Sequence, residues 1–112
     1  MTILLFAYGS LKRSQRNHHE LAGARFVAEA RTVPCFALRV CEGYPVLVPG
    51  ERSIRGELFE LPEVCLASLD EFEGRAYERR EIELEGGGSA IAYLARNVSA
   101  GEPYAAPEWP EG

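Results

Sequence analysis

ILLFAYGSL, residues 3–11, sets the architecture. Ile3 to Ala7 is an unbroken apolar run with no polar alternation. A short strand of that kind is buried on both faces, so other elements must pack on each side of it. Gly9 then breaks the run and starts a turn. A glycine at the end of a strand lets successive backbone N–H groups converge into a concave anion site, and the Ser10 hydroxyl adds a donor. Tyr8, Gly9, Ser10 and Leu11 are therefore a candidate segment for holding a carboxylate. An ordinary tight turn has the same composition, so this segment does not decide function alone. The chain carries neither a P-loop nor a dinucleotide glycine pattern, so a nucleotide is not indicated.

Outward from this strand, residues 11–22 are polar and read as a loop running into a short helix that stops at Gly23. Residues 24–31 alternate, with Phe26, Ala28 and Ala30 on one side, as a strand does. Further strands are predicted at Cys35 to Val40, Val46 to Val48 and Ser53 to Leu61. Gly56 sits inside the last of these, where an interior glycine marks a bulge or a close neighbour. One helix is clear. Pro62 suits its first position, Cys65, Leu69 and Phe72 fall on one face, and Gly74 ends it. Two strands, Tyr77 to Leu84 and Ala90 to Arg96, flank Gly86-Gly87-Gly88 and read as a hairpin. No regular crossover helices separate the strands, which disfavours a doubly wound parallel sheet. The expected class is α+β, with six or so short strands in a curved, mixed or antiparallel sheet and two helices. Residues 1–98 are expected to form a single domain, and residues 99–112 an irregular Pro/Gly-rich tail packed through Tyr104 and Trp109.

Composition removes several function classes. The 112 residues include 12 Lys plus Arg and 17 Asp plus Glu, for a formal net charge of -5. This balance argues against nucleic acid, whose binding depends on neutralising phosphates. Asp70 is the only aspartate, which excludes paired-aspartate catalysis and aspartate-rich metal loops. The cysteines, Cys35, Cys41 and Cys65, have no paired spacing, so neither a disulfide framework nor a zinc site is expected. No apolar run approaches the ~20 residues of a membrane span. The first ten residues lack a basic leader and read as strand. The expected setting is cytoplasmic, with reduced and mostly buried thiols. No cofactor and no metal is expected.

Three other features bear on chemistry. Asp70, Glu71 and Glu73 crowd the C-terminal end of the predicted helix. Partial negative charge there, together with mutual repulsion, favours the neutral acid and raises a carboxylate pKa. A carboxylate raised in this way suits general-base work at neutral pH. Glu73, one turn beyond Leu69 and beside Phe72, lies at the edge of the apolar face, whereas Asp70 and Glu71 are expected to point more toward solvent. Tyr77 and Arg79 fall on one side of the next strand and are candidates to orient a polar ligand or Glu73. Asn17-His18-His19 has no acidic or thiol partner at ligand spacing and reads as a solvated helix start with Asn17 as cap.

Taken together, FAYGSLKRSQRNHHEL (residues 6–21), GYPVLVPG (43–50), RGELFEL (55–61) and LDEFEGRAYERR (69–80) resemble the gamma-glutamylcyclotransferase-like family, in particular its gamma-glutamylamine cyclotransferase branch. The resemblance runs in order over about residues 3 to 96. Ser14 stands where the family commonly has Gly. The resemblance implies a small β-barrel flanked by helices. It implies that the backbone of Tyr8, Gly9, Ser10 and Leu11 holds the alpha-amino-acid end of a gamma-glutamyl group. It maps the catalytic acid/base onto Glu73. The implied reaction is cyclisation of a small-molecule gamma-glutamyl amine or peptide to 5-oxoproline and a free amine. A non-catalytic module of the same fold, binding a small ligand, is the alternative.

Overall fold

β1 (Thr2–Ala7) forms where the apolar run predicts it. In the computed structural model of the chain, which describes residues 1–110, this strand is sealed on both faces from Leu5 to Ala7. Leu5 and Ala7 face one core cluster, shared with Leu69 and Phe59. Phe6 faces the other, shared with Leu47, Ile54 and Leu94. Leu5 is 0% exposed and Phe6 1%. Full burial of such a side chain stabilises the fold by roughly 1.5–3 kcal/mol, so this strand is the spine of the molecule.

The other strands are β2 (Arg25–Arg31), β3 (Phe36–Cys41), β4 (Tyr44–Pro49), β5 (Arg55–Pro62), β6 (Tyr77–Glu83), β7 (Ser89–Ala95) and β8 (Glu102–Tyr104). They form one mixed sheet, ordered β2-β5-β1-β7-β4-β3-β8, with β6 pairing β7 beside this path. The sheet curls into a half-barrel, as the α+β expectation requires. β7 is the junction. β6 pairs it along its whole length, antiparallel, as the predicted hairpin. β1 and β4 therefore share its other edge, both parallel to it, β1 at Ile91 and β4 at Leu94. Beyond these two contacts β1 and β4 part, and the gap between them is where a cavity opens.

α1 (Leu66–Glu73) follows a 3₁₀ turn at Glu63–Cys65, so the helical path begins after Pro62, which itself ends β5. Leu66 and Leu69 are buried on its inner face, and Gly74 closes it. It is the one α-helix among the described residues. The second expected helix is a 3₁₀ turn, His18–Leu21. Gly56 marks a close neighbour, as predicted: a Cβ there would lie 2.5 Å from the Ala7 carbonyl oxygen and 2.7 Å from the Phe6 ring. Ser14, where the resemblance implies a glycine, has φ 68, a left-handed conformation that L side chains adopt at a cost.

Two expectations need correction. The stretch after Ser99 is not wholly irregular, because β8 pairs with β3, while Tyr104 and Trp109 pack on the core as expected. The last two residues of that stretch lie outside the described residues. The thiols are free, but Cys35 is exposed and Cys41 and Cys65 are half-buried, so they are not the buried set that was expected. Among the described residues no helix is long and apolar enough to cross a membrane.

Candidate functional site

Where β1 and β4 part, a cavity of about 270 Å³ is lined by Tyr8, Gly9, Ser10, Leu11, Glu73 and Tyr77, together with Asn17, Tyr44, Pro45, Phe72 and Tyr93. Six of the seven residues singled out in the sequence thus share one hollow. Arg79 does not line it. It lines a separate hollow, which shares Tyr77 and Tyr93 with the first.

The loop side is anchored in the sheet. The Tyr8 hydroxyl donates to the Tyr93 carbonyl at 2.5 Å and accepts from the Leu47 N–H at 3.2 Å. It thus wedges between β4 and β7, where a sheet hydrogen bond would otherwise run. Burial, with Tyr77 and Glu73 nearby, raises its pKa well above the ordinary tyrosine value, so this proton stays in place. A Cβ on Gly9 would lie 2.5 Å from Pro45 Cγ, so the backbone passes closer to that ring than any side chain would allow.

The turn that follows is braced from several directions. Lys12 N–H donates to the Gly9 carbonyl at 3.0 Å, and Asn17 N–H to the Ser10 carbonyl at 2.9 Å. Asn17 Nδ2 donates to Ser10 Oγ at 3.0 Å. Asn17 therefore does not cap the turn after it, as expected from sequence, but holds Ser10 and lines the cavity. A ring nitrogen of His18 lies 2.8 Å from the Leu11 carbonyl, which can only accept, so Nδ1 carries a proton. His18 also packs against Phe59, with ring centroids 5.5 Å apart, and is not a solvated residue. Among the described residues no hydrogen bond engages the N–H of Gly9, Ser10 or Leu11. Three unpaired N–H groups on a braced loop beside the cavity are donors available to an anion.

The opposite side is the end of α1. Glu73 is half-buried there, beside Phe72. Its pKa is pushed up to about 7, because burial strips water from the charged form. The direction matches the sequence expectation and the cause does not. Loss of water raises it, not the helix end or neighbouring acids. Asp70 is exposed, as expected, and it also accepts a hydrogen bond from the Tyr93 hydroxyl at 2.7 Å and sits 3.5 Å from Arg79 Nη2. Arg79 thus acts on the outer side of α1 through Asp70.

Of the three phenols near Glu73, Tyr8 and Tyr93 give their protons to protein acceptors. Tyr77 gives its proton to none among the described residues, and burial followed by the charge of Glu73 pushes its pKa to about 12. It is a neutral donor facing the cavity. No three His, Cys, Asp or Glu side chains among the described residues converge as a metal site. The arrangement is chemically suited to holding an anion at one side and exchanging a proton at the other.

Asn17, Tyr44, Phe72 and Tyr93 escaped the sequence reading as site residues. Asn17 lay in a motif that was read as a cap, and Tyr44 lay in a segment quoted only for its resemblance. Tyr93 sits in an apolar strand whose sequence shows no chemistry.

A family model described as gamma-glutamyl cyclotransferase, AIG2-like, matches residues 5–111. The chain is 32% identical to the gamma-glutamylaminecyclotransferase of Rattus norvegicus over 127 aligned positions, covering 94% of this chain and 81% of the relative. It is 31% identical over 91 residues to the gamma-glutamylcyclotransferase family protein YtfP of Escherichia coli K12, covering 80% of each. The crystal structure of an AIG2-like protein from Mus musculus matches with a TM-score of 0.76 at 26% identity, over 92% of this chain and 88% of that one. That of c4763, a uropathogenic E. coli-specific protein, matches with a TM-score of 0.80 at 27% identity, over 87% and 81%. With the family model spanning nearly all of its length, the chain belongs to the gamma-glutamyl cyclotransferase, AIG2-like family of enzymes.

Proposed function

We propose that this enzyme converts a gamma-glutamyl amine or peptide into 5-oxoproline and a free amine, with Glu73 as its acid/base. One observation carries the reading: a glutamate whose carboxyl is poised near neutrality and three residues with unpaired backbone N–H groups line the same small cavity. The loop N–H groups of Gly9, Ser10 and Leu11 hold the substrate's alpha-carboxylate. The alpha-ammonium then lies toward Glu73, which takes one of its protons as general base. The freed amine attacks the gamma-carbonyl of its own chain and closes a five-membered ring. Folding both reactants into one near-attack shape supplies much of the rate, because intramolecular closure is worth roughly 7–11 kcal/mol at ideal geometry. The Tyr77 hydroxyl donates to the oxyanion as it develops. Glu73 returns its proton to the leaving amine as the old amide bond breaks, and then relays the second proton of the ring nitrogen to the freed amine, which departs as an ammonium ion. Atoms and charge balance without a covalent enzyme intermediate. We assign the reaction to the cytoplasm, where the three free thiols stay reduced.

The test is 5-oxoproline release from a panel of gamma-glutamyl amines and peptides. Glu73→Gln is expected to lose turnover by roughly 10²–10⁴-fold, the range of a general acid/base, with substrate binding largely kept. Turnover like the wild type would remove Glu73 from the mechanism. Binding of the panel by the wild type without release of 5-oxoproline would replace this reading with that of a small-ligand module.

A further inference from the structure

Three cations follow the binding loop, and two of them face a carboxylate. Lys12 Nζ lies 3.9 Å from Glu108, and Arg13 Nη2 lies 3.3 Å from Glu57. Arg16 differs. Its Nη1 donates to the Tyr44 hydroxyl at 3.0 Å, and its guanidinium carbon is 5.6 Å from the centre of the Tyr44 ring. Among the described residues no carboxylate comes within 4.0 Å of it. Tyr44 and Asn17 line the cavity, so the exposed Arg16 stands at its rim, held by one of these residues and adjacent in sequence to the other. A guanidinium that spends one N–H on a neutral phenol keeps its charge and most of its donors for an incoming anion. Tyr44 fixes its aim by a hydrogen bond and by the face of its ring.

We propose that Arg16, aimed by Tyr44, binds a carboxylate on the leaving-group side of the substrate, so that the enzyme prefers gamma-glutamyl derivatives of amino acids to those of simple amines or polyamines. This assignment rests on the cyclotransfer reading above. The glutamyl moiety already has partners inside the cavity: the loop N–H groups for its carboxylate and Glu73 for its ammonium. What projects past the rim is the leaving amine. A carboxylate there meets an unneutralised guanidinium, whereas a second ammonium there is repelled by it.

Two compounds test this, gamma-glutamyl-alanine and gamma-glutamyl-ethylamine, which differ only in the leaving group's carboxylate. The wild type is expected to favour the alanine compound by roughly five- to tenfold in kcat/KM, as suits a charge-assisted contact partly open to water. Arg16→Gln brings that ratio close to one, through a rise in KM for the alanine compound. Arg16→Lys retains part of the preference. A wild-type ratio near one overturns the proposal. So does an equal fall for both compounds in Arg16→Gln, because Arg16 would then read the glutamyl carboxylate. If neither compound releases 5-oxoproline, the cyclotransfer reading fails, and calorimetry on Glu73→Gln protein still decides the role of Arg16. Tighter binding of the alanine compound, lost in the double variant with Arg16→Gln, supports it. Equal affinities, or no binding of either compound, overturn it.

Discussion

The two walls of the cavity are built by opposite means. The loop wall continues β1, whose last three residues are buried, and its Tyr8 hydroxyl is locked between β4 and β7. The helix wall hangs from an eight-residue helix, and its outer residue Phe72 is 38% exposed. The loop wall takes its chemistry from backbone N–H groups, which a sheet can fix. The helix wall takes its chemistry from one carboxylate, which partial loss of water tunes. Binding geometry therefore depends on sheet integrity, and proton chemistry depends on how dry the end of α1 is.

The largest effect outside the proposed catalytic acid is expected where the loop wall is locked. Tyr8→Phe removes a hydroxyl that serves both a buried N–H and a buried carbonyl. Each group left without a partner costs about 1–3 kcal/mol, so urea unfolding is expected to show a loss of about 2–4 kcal/mol. A loss below about 0.5 kcal/mol would mean that β4 and β7 close their own ladder and that the wedge is dispensable. The helix wall and its neighbour Tyr77 answer differently. Tyr77→Phe is expected to keep stability and to lower kcat by roughly 10²-fold, as loss of an oxyanion donor does, with KM little changed. An unchanged kcat would return that role to the loop N–H groups.

The smallest effect is a pH dependence of stability. The folded protein holds the Glu73 proton up to about pH 7, against an ordinary value of 4.5. Between these values the folded state binds more protons than the unfolded state, so stability falls as pH rises through the window. Below it Glu73 is neutral in both states and costs nothing. Glu73→Gln removes the dependence and is expected to be more stable than the wild type above pH 7 by roughly 1–2 kcal/mol, after allowance for partial solvent access. Unfolding at pH 4.5 and pH 8 checks this, and identical wild-type and variant differences at the two values would contradict it.

The spine and the helix are legible in sequence because each is a local pattern. Ile3 to Ala7 has no polar alternation, Cys65, Leu69 and Phe72 are spaced along one helix face, and three glycines lie between β6 and β7. The parallel joins at β7 are not legible, since Tyr8 and Tyr93 stand 85 residues apart and meet only after the sheet has curled. β8 escapes notice because it is three residues long and contains Pro103. Within the site, Glu73 and the loop are marked by composition, but partnerships are not. Asn17 has the chemistry of a cap and is used as a brace. Asp70 has the position of a solvated acid and is engaged by Tyr93 and Arg79. The direction of the Glu73 shift follows from a crowded helix end, whereas its cause, burial, depends on what the rest of the chain folds over it.

The account turns on a carboxyl held neutral to near physiological pH and sharing a cavity with the loop proposed to bind an anion. Carbon-13 NMR titration of the Glu73 carboxyl measures this directly. A midpoint near 7, shared by the acidic limb of kcat/KM, is the expected result. A midpoint near ~4.3, that of a freely solvated glutamate, would contradict it.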